Sequence, residues 1–129
     1  MEKEINEFYI ELAFFFNKDI SYDVFKSYVN LEGEVTPLNK SLGQKKSAKF
    51  FVKTKMFRET FPDERFSEFV DITSNEMKNV TELLKEYDGE LWYVIVYNSV
   101  ESKVYSTLSS ELIKKLASMN ANYDIDYTY

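Results

Sequence analysis

Apolar side chains first recur at every second position from Phe8. Phe8, Ile10, Leu12, Phe14 and Phe16 fall on one side, which predicts a strand with one buried face. Ser21 reads as the N-cap of a short helix, with Ile20 and Phe25 spaced to staple its first turn. Gly33 stands where the exit from that helix would take a left-handed residue. Val35-Thr36-Pro37 predicts at most an edge strand, because proline cannot donate to a ladder. Ala48, Phe50, Val52, Thr54 and Met56 then alternate with Lys49, Phe51, Lys53, Lys55 and Phe57, a half-buried strand over 48–57. Phe61-Pro62-Asp63-Glu64 suits a turn. Phe66 to Ile72 fits a returning strand or one helical turn, and the strand is the preferred reading.

Thr73-Ser74-Asn75-Glu76 matches a capping box, with Ile72 and Met77 as its staple, so a helix is expected to start near Thr73. Met77, Val80, Leu83, Leu84 and Tyr87 continue it at helical spacing, and Gly89 is its expected stop. Leu91 to Tyr97 is apolar throughout, which predicts a central strand covered on both sides. A short strand at Lys103-Val104-Tyr105 is followed by a helix capped by Ser109, with Leu112, Ile113 and Leu116 inward and Asn120 at its end. Tyr123-Asp124-Ile125-Asp126-Tyr127 alternates strictly and closes the chain as a strand. The order is that of an α+β, two-layer sandwich: a ferredoxin-like split βαβ core with an extra C-terminal helix and strand.

Length and composition fit one domain over residues 1–129, since 44% hydrophobic and 29% charged residues are globular proportions. The chain has no cysteine, which removes disulfides, thiolate zinc sites and a cysteine nucleophile at once. Histidine is absent too, so the commonest acid–base and metal-dependent hydrolase schemes fail. Gly33, Gly43 and Gly89 are isolated and cannot form a phosphate-binding loop. No apolar run approaches the roughly 20 residues of a membrane helix, and the charged start Met1-Glu2-Lys3-Glu4 does not resemble a secretion signal, so a cytoplasmic location is expected. The net charge of -6 argues against general nucleic-acid binding. The charge is nonetheless polarised: Val35 to Arg58 holds Lys40, Lys45, Lys46, Lys49, Lys53, Lys55 and Arg58 and no acid.

A family resemblance runs through the second half. The segments Thr81-Glu82-Leu83-Leu84-Lys85, Leu91-Trp92-Tyr93-Val94-Ile95-Val96-Tyr97 and Leu108-Ser109-Ser110-Glu111-Leu112-Ile113-Lys114-Lys115-Leu116-Ala117 precede Asp124-Ile125-Asp126-Tyr127. In that order they resemble the bacterial domain of unknown function 4279 family. The strand at Phe8, the stretch Ser21 to Leu31 and the Thr36-Pro37 step are similar as well. The resemblance implies a cytosolic bacterial α+β domain and carries over no catalytic residue.

Three groups of residues are candidates for function. Asp124 and Asp126 put two carboxylates on one strand face, an arrangement that can hold Mg²⁺, although alternation alone accounts for the spacing. Phe50, Phe51 and Phe57 among the lysines of 45–55 superficially suggest a single-strand nucleic-acid platform, yet edge protection by lysine explains the same residues. The third group is the second face of the sheet, expected to show Tyr9, Phe15, Phe51, Phe57, Tyr93 and Tyr97 unless the C-terminal elements or the Val35–Gln44 loop cover it. Ring-rich, charge-rimmed surfaces are enriched at protein interfaces. Tyr9, Phe51, Lys53, Lys55, Tyr93 and Tyr97 are therefore the expected binding residues, with a protein partner or a second copy as the ligand. The expectation is a non-catalytic protein-binding module, an immunity protein that neutralises a toxin being one form of it, with no cofactor. The alternative is a small-molecule-binding domain or an enzyme built on carboxylates and tyrosines.

Overall fold

The strand around which the molecule is arranged is β1 (Asn6–Phe16), whose residues Phe8, Ile10, Leu12, Phe14 and Phe16 are all essentially inaccessible to solvent. The computed structural model describes residues 5–32, 34–37, 48–101 and 108–128. After β1 come α1 (Tyr22–Tyr28), β2 (Glu34–Pro37), β3 (Ala48–Lys53), β4 (Phe57–Glu59), α2 (Asp63–Asn75), α3 (Val80–Glu86), β5 (Gly89–Ser99), α4 (Ser110–Ser118) and β6 (Ala121–Tyr127). The strands form one mixed sheet in the order β2-β3-β1-β5-β6, with β4 also paired to β1. Every pairing is antiparallel except β5 with β6, which run parallel on either side of α4. The predicted turn at Gly33, the lysines before residue 48, the Val35–Gln44 loop beyond Pro37 and the short strand at 103–105 lie outside the described residues.

All four helices of the described residues meet the same face of the sheet, because each contributes buried residues to a single cluster: Phe25 from α1, Phe66 and Val70 from α2, Leu83 from α3, Leu112 and Leu116 from α4. Two of the helices are capped as the sequence dictates. Ser21 Oγ accepts the Val24 amide, and Ser109 Oγ accepts the Leu112 amide, each relieving one of the unpaired donors of a first turn. In α4, however, Ile113 is 52% exposed, since only Leu112 and Leu116 share the face turned to the sheet. The chain turns out of α4 at Asn120, which adopts a left-handed φ of 55°.

Residues 63–75 depart most from the pattern. Phe66, Phe69, Val70 and Thr73 are spaced i, i+3, i+4 and i+7, and all four are buried along one stripe of α2, so the segment is helix and not a returning strand. Asp63 and Glu64 begin it, where carboxylates suit the positive end of the helix, and Ile72 is left 65% exposed. Thr73 is accordingly no N-cap. It sits in the last turn, donates to the Phe69 carbonyl at 2.8 Å, and lies 2.6 Å from the Tyr93 hydroxyl. The next helix begins only at Val80, after Met77 has formed a bridge with Val29. Gly89 opens β5 rather than stopping a helix. A Cβ there would come within 2.6 Å of the Phe16 ring, so close packing explains the glycine, while Asp88 takes the left-handed turn with φ 49°.

The strand expected over 48–57 is split. Lys53 pairs with Glu11 and Phe57 with Phe8, so four steps along β3–β4 match three along β1. The one extra residue reverses the alternation. Phe57 therefore turns to the covered side, where its ring lies 5.6 Å from that of Phe8. Among the described residues, no helix is long and apolar enough to cross a membrane.

Candidate binding face on the open side of the sheet

Alternation in β1 sends Tyr9, Glu11, Ala13 and Phe15 away from the helices, and pairing register extends that face across the sheet. Tyr9 pairs with Val96 and Val96 with Asp126; Glu11 pairs with Val94 and Val94 with Asp124; Ala13 pairs with Trp92. On the other flank Phe51 pairs with Ala13 and Lys53 with Glu11. Among the described residues no element covers this side, and the C-terminal elements do not fold across it: α4 packs on the helical layer and β6 widens the sheet. The face is concave, with a trough of about 520 Å³ running along β1, β5 and β6. Its floor is Tyr9, Ala13, Phe15, Trp92, Val94 and Val96, and its acids are Glu11, Glu90, Asp124 and Asp126.

Three expected residues are elsewhere, the two tyrosines of β5 and Lys55. Tyr93 and Tyr97 have no accessible surface and point into the helical layer, where Phe66 and Phe69 meet the Tyr93 ring edge-on at 6.1 Å. β5 alternates with Leu91, Tyr93, Ile95 and Tyr97 covered, which leaves Trp92 and Val94 half-buried on the open side. The uniformly apolar run hid this phase. Polar Glu90 and Asn98, both even-numbered like Trp92, were the signal that even positions face outward. Burial drives the Tyr93 hydroxyl well above its ordinary pKa, against the opposing effect of Thr73, and pushes Tyr97 up to about 12.

Tyr9, Phe51 and Lys53 do share the open face. The Lys53 ammonium lies 5.7 Å from the centroid of the Tyr9 ring, within reach of a cation–π attraction. Lys55 leaves the strand and stands over Phe57 instead, at 5.8 Å. The lysine–phenylalanine run is thus divided: Phe50 is 3% exposed and stacks on Phe25 at 4.0 Å, Phe57 is on the covered side, and only Phe51 remains on the open face. Among the described residues of this run, the three rings therefore do not share one face.

Asp124 and Asp126 are oriented by their own backbone. Each Oδ1 accepts the amide of the following residue, Ile125 or Tyr127, at 2.8 Å. The Thr128 amide bonds to the Tyr97 carbonyl, so alternation points the amides of Ile125 and Tyr127 toward the outer edge of β6. The two carboxylates thereby blunt an edge strand that would otherwise offer free donors. No group of three or more His, Cys, Asp or Glu side chains placed to hold a metal ion occurs among the described residues. Charge balance also differs across the surface. Glu7 pairs with Arg58 at 3.3 Å, Glu59 with Arg65 at 2.9 Å and Asp71 with Lys115 at 2.6 Å, whereas Glu90, Asp124 and Asp126 have no ion-pair partner among the described residues. The Tyr9 hydroxyl feels this surplus: burial raises its pKa first, then Glu11 and Asp126. Glu90 accepts the Trp92 indole N–H at 3.1 Å, which fixes the ring at the end of the trough.

No match was found among curated proteins or among solved structures. A family model matches residues 6–129, nearly the whole chain, and the protein therefore belongs to the family described as Domain of unknown function (DUF4279).

Proposed function

We propose that the chain is a non-catalytic protein-binding module whose contact surface is the open face of the sheet. The observation that supports this reading is a concave face with Tyr9, Phe15 and Trp92 in its floor and carboxylates about them. A polar rim around half-buried rings is the composition that lets a surface remain soluble alone and still bury apolar area on contact. Tyr93 and Tyr97 no longer belong to the binding set; Trp92 and Phe15 replace them. Neutralisation of a toxin in the cytosol is the specific role this suits, for a small acidic domain with neither histidine nor cysteine. The antiparallel order β2-β3-β1-β5 supports reading the core as ferredoxin-like, with α4 and β6 appended.

A volume of about 520 Å³ also lies in the range of small-molecule pockets, which favours the alternative of a small ligand. The carboxylates and Tyr9 do not make an obvious reaction centre, because a tyrosine with a raised pKa is a poorer base at neutral pH.

The test is affinity recovery from the native cell with the full chain, compared with a Tyr9→Ser, Trp92→Asn variant whose thermal melt matches the original. A protein held by the original and lost by the variant is the expected result. The same recovered set for both, with both folded, would overturn the reading.

A further inference from the structure

We infer that the open face takes a basic, extended segment of a partner protein that passes Trp92, with a Lys or Arg side chain over Tyr9 and its cation among Glu11, Asp124 and Asp126. The inference rests on reading this face as the binding surface. It adds the chemistry of what binds.

Among the described residues four carboxylates line the trough and Lys53 is the one basic side chain at its margin, while its floor is rings and small apolar side chains. The acids alone would be no more than a solvated patch. Their placement is what matters: Asp126 stands in the same cross-strand row as Tyr9, Glu11 two residues along β1, and both act on the Tyr9 hydroxyl. Asp124 and Asp126 are each held through Oδ1, which leaves the other oxygen available at no cost in side-chain ordering. The protein already shows the contact on a small scale, since its own Lys53 ammonium rests over Tyr9 from the β3 side. An aliphatic stem against Val94 and Val96 and a cation near carboxylates and rings would satisfy a long basic side chain along its whole length.

Other occupants fit less well. A second copy would bring the same four carboxylates to the contact, and like charges across an interface are costly. Nucleic acid would bring phosphates. A partner strand added to β6 would have to displace the carboxylates that occupy the outward amides of Ile125 and Tyr127, so the segment lies across the face and not along that edge.

Trp92 is the chain's one tryptophan, so its emission reports the trough directly. The probe is a synthetic peptide of alternating Lys and Ser, with an alternating Glu and Ser peptide as control. The basic peptide is expected to change Trp92 emission saturably and the acidic one to leave it unaltered. Asp124→Asn with Asp126→Asn keeps the backbone-bonded oxygens but removes the charge, and should weaken binding by about tenfold. Glu86→Gln with Glu111→Gln removes as much charge from the helical layer and should weaken it by less than about twofold. Equal losses in the two pairs would mean general attraction to an acidic protein and would overturn the inference. So would binding without a Trp92 response, or no binding. If the peptide fails while affinity recovery still depends on Tyr9 and Trp92, the face binds protein by another chemistry; if both fail, it is not a contact surface.

Discussion

On the covered face Tyr93 has its ring between Phe66 and Phe69 and its hydroxyl against Thr73. One residue earlier in the same strand, Trp92 lies on the open face and spends its N–H on Glu90, an exposed acid. Both positions are aromatic and both belong to an interior strand. What separates them is where the polar groups find partners: Tyr93 bonds to Thr73 inside the core, while on the open side Glu90, Asp124 and Asp126 have no ion-pair partner among the described residues and the rings are half-buried. The first arrangement maximises stability. The second leaves ring surface and carboxylates open to solvent.

The largest effect expected from this contrast is in adjacent phenylalanines. Phe14→Ala removes a ring that is 1% exposed and packed on Phe25, and should cost about 3–5 kcal/mol in urea titration. Phe15→Ala, on the open face, should cost under about 1 kcal/mol. Comparable losses would mean that both faces are buried in solution, and the comparison would collapse.

Hydroxyls give the next largest difference. Thr73→Ala strands the buried Tyr93 hydroxyl and should destabilise by about 1–3 kcal/mol. Tyr97→Phe should be neutral or slightly stabilising, because the Tyr97 hydroxyl is buried without a hydrogen-bond partner among the described residues. Tyr9→Phe should change stability by less than about 0.5 kcal/mol. A large loss for Tyr97→Phe would show that its hydroxyl is bonded after all.

Alkaline pH acts on the covered side. Unfolded tyrosine titrates near 10, and Tyr97 is held up to about 12 by burial, then by Tyr123, Tyr127 and Asp63. The raised value means that the folded state keeps its proton longer than the unfolded state. Stability from this group is therefore whole below about pH 10 and declines as pH rises toward about 12. Melting temperature against pH, followed together with phenolate absorbance, should show the decline; a flat profile to the end of that window contradicts it.

The smallest effect concerns the acids. Asp124→Asn with Asp126→Asn should raise the melting midpoint slightly at low salt, and high salt should erase the gain, since unpaired like charges repel across the open face. A clear loss of stability would mean that the two carboxylates are paired and the trough is not poised for a cation.

Much of the layout could be read before any coordinates. Period-two alternation in β1 had a single phase with bulky residues, and it named the covered side of that strand correctly. Ser21 and Ser109 were legible as caps because an N-cap bond spans three residues and depends on nothing distant. The N-terminal reach of the family match confirms the resemblance noted from the second half. Local pattern was less reliable wherever two structures share it. Phe66, Phe69 and Val70 suit a strand or a helix, and only the stripe completed by Thr73 against Tyr93 makes the segment helical. Thr73 looked like a cap because its neighbours spell one, yet capping requires the chain before it to be non-helical.

By itself, then, the sequence determined the elements with one-sided patterning, the absence of histidine and cysteine chemistry, and the family. Only the tertiary structure decided which rings are reachable. The β5 run is apolar at consecutive positions, so either phase buries side chains well, and the choice belongs to its register with β1, where Phe14 meets Leu91 and Ala13 meets Trp92. One extra residue between Lys53 and Phe57 likewise carried Phe57 to the covered side. The physical reason is the same in both places: a strand's two faces differ by a single residue of register, and register is fixed by the neighbouring strand.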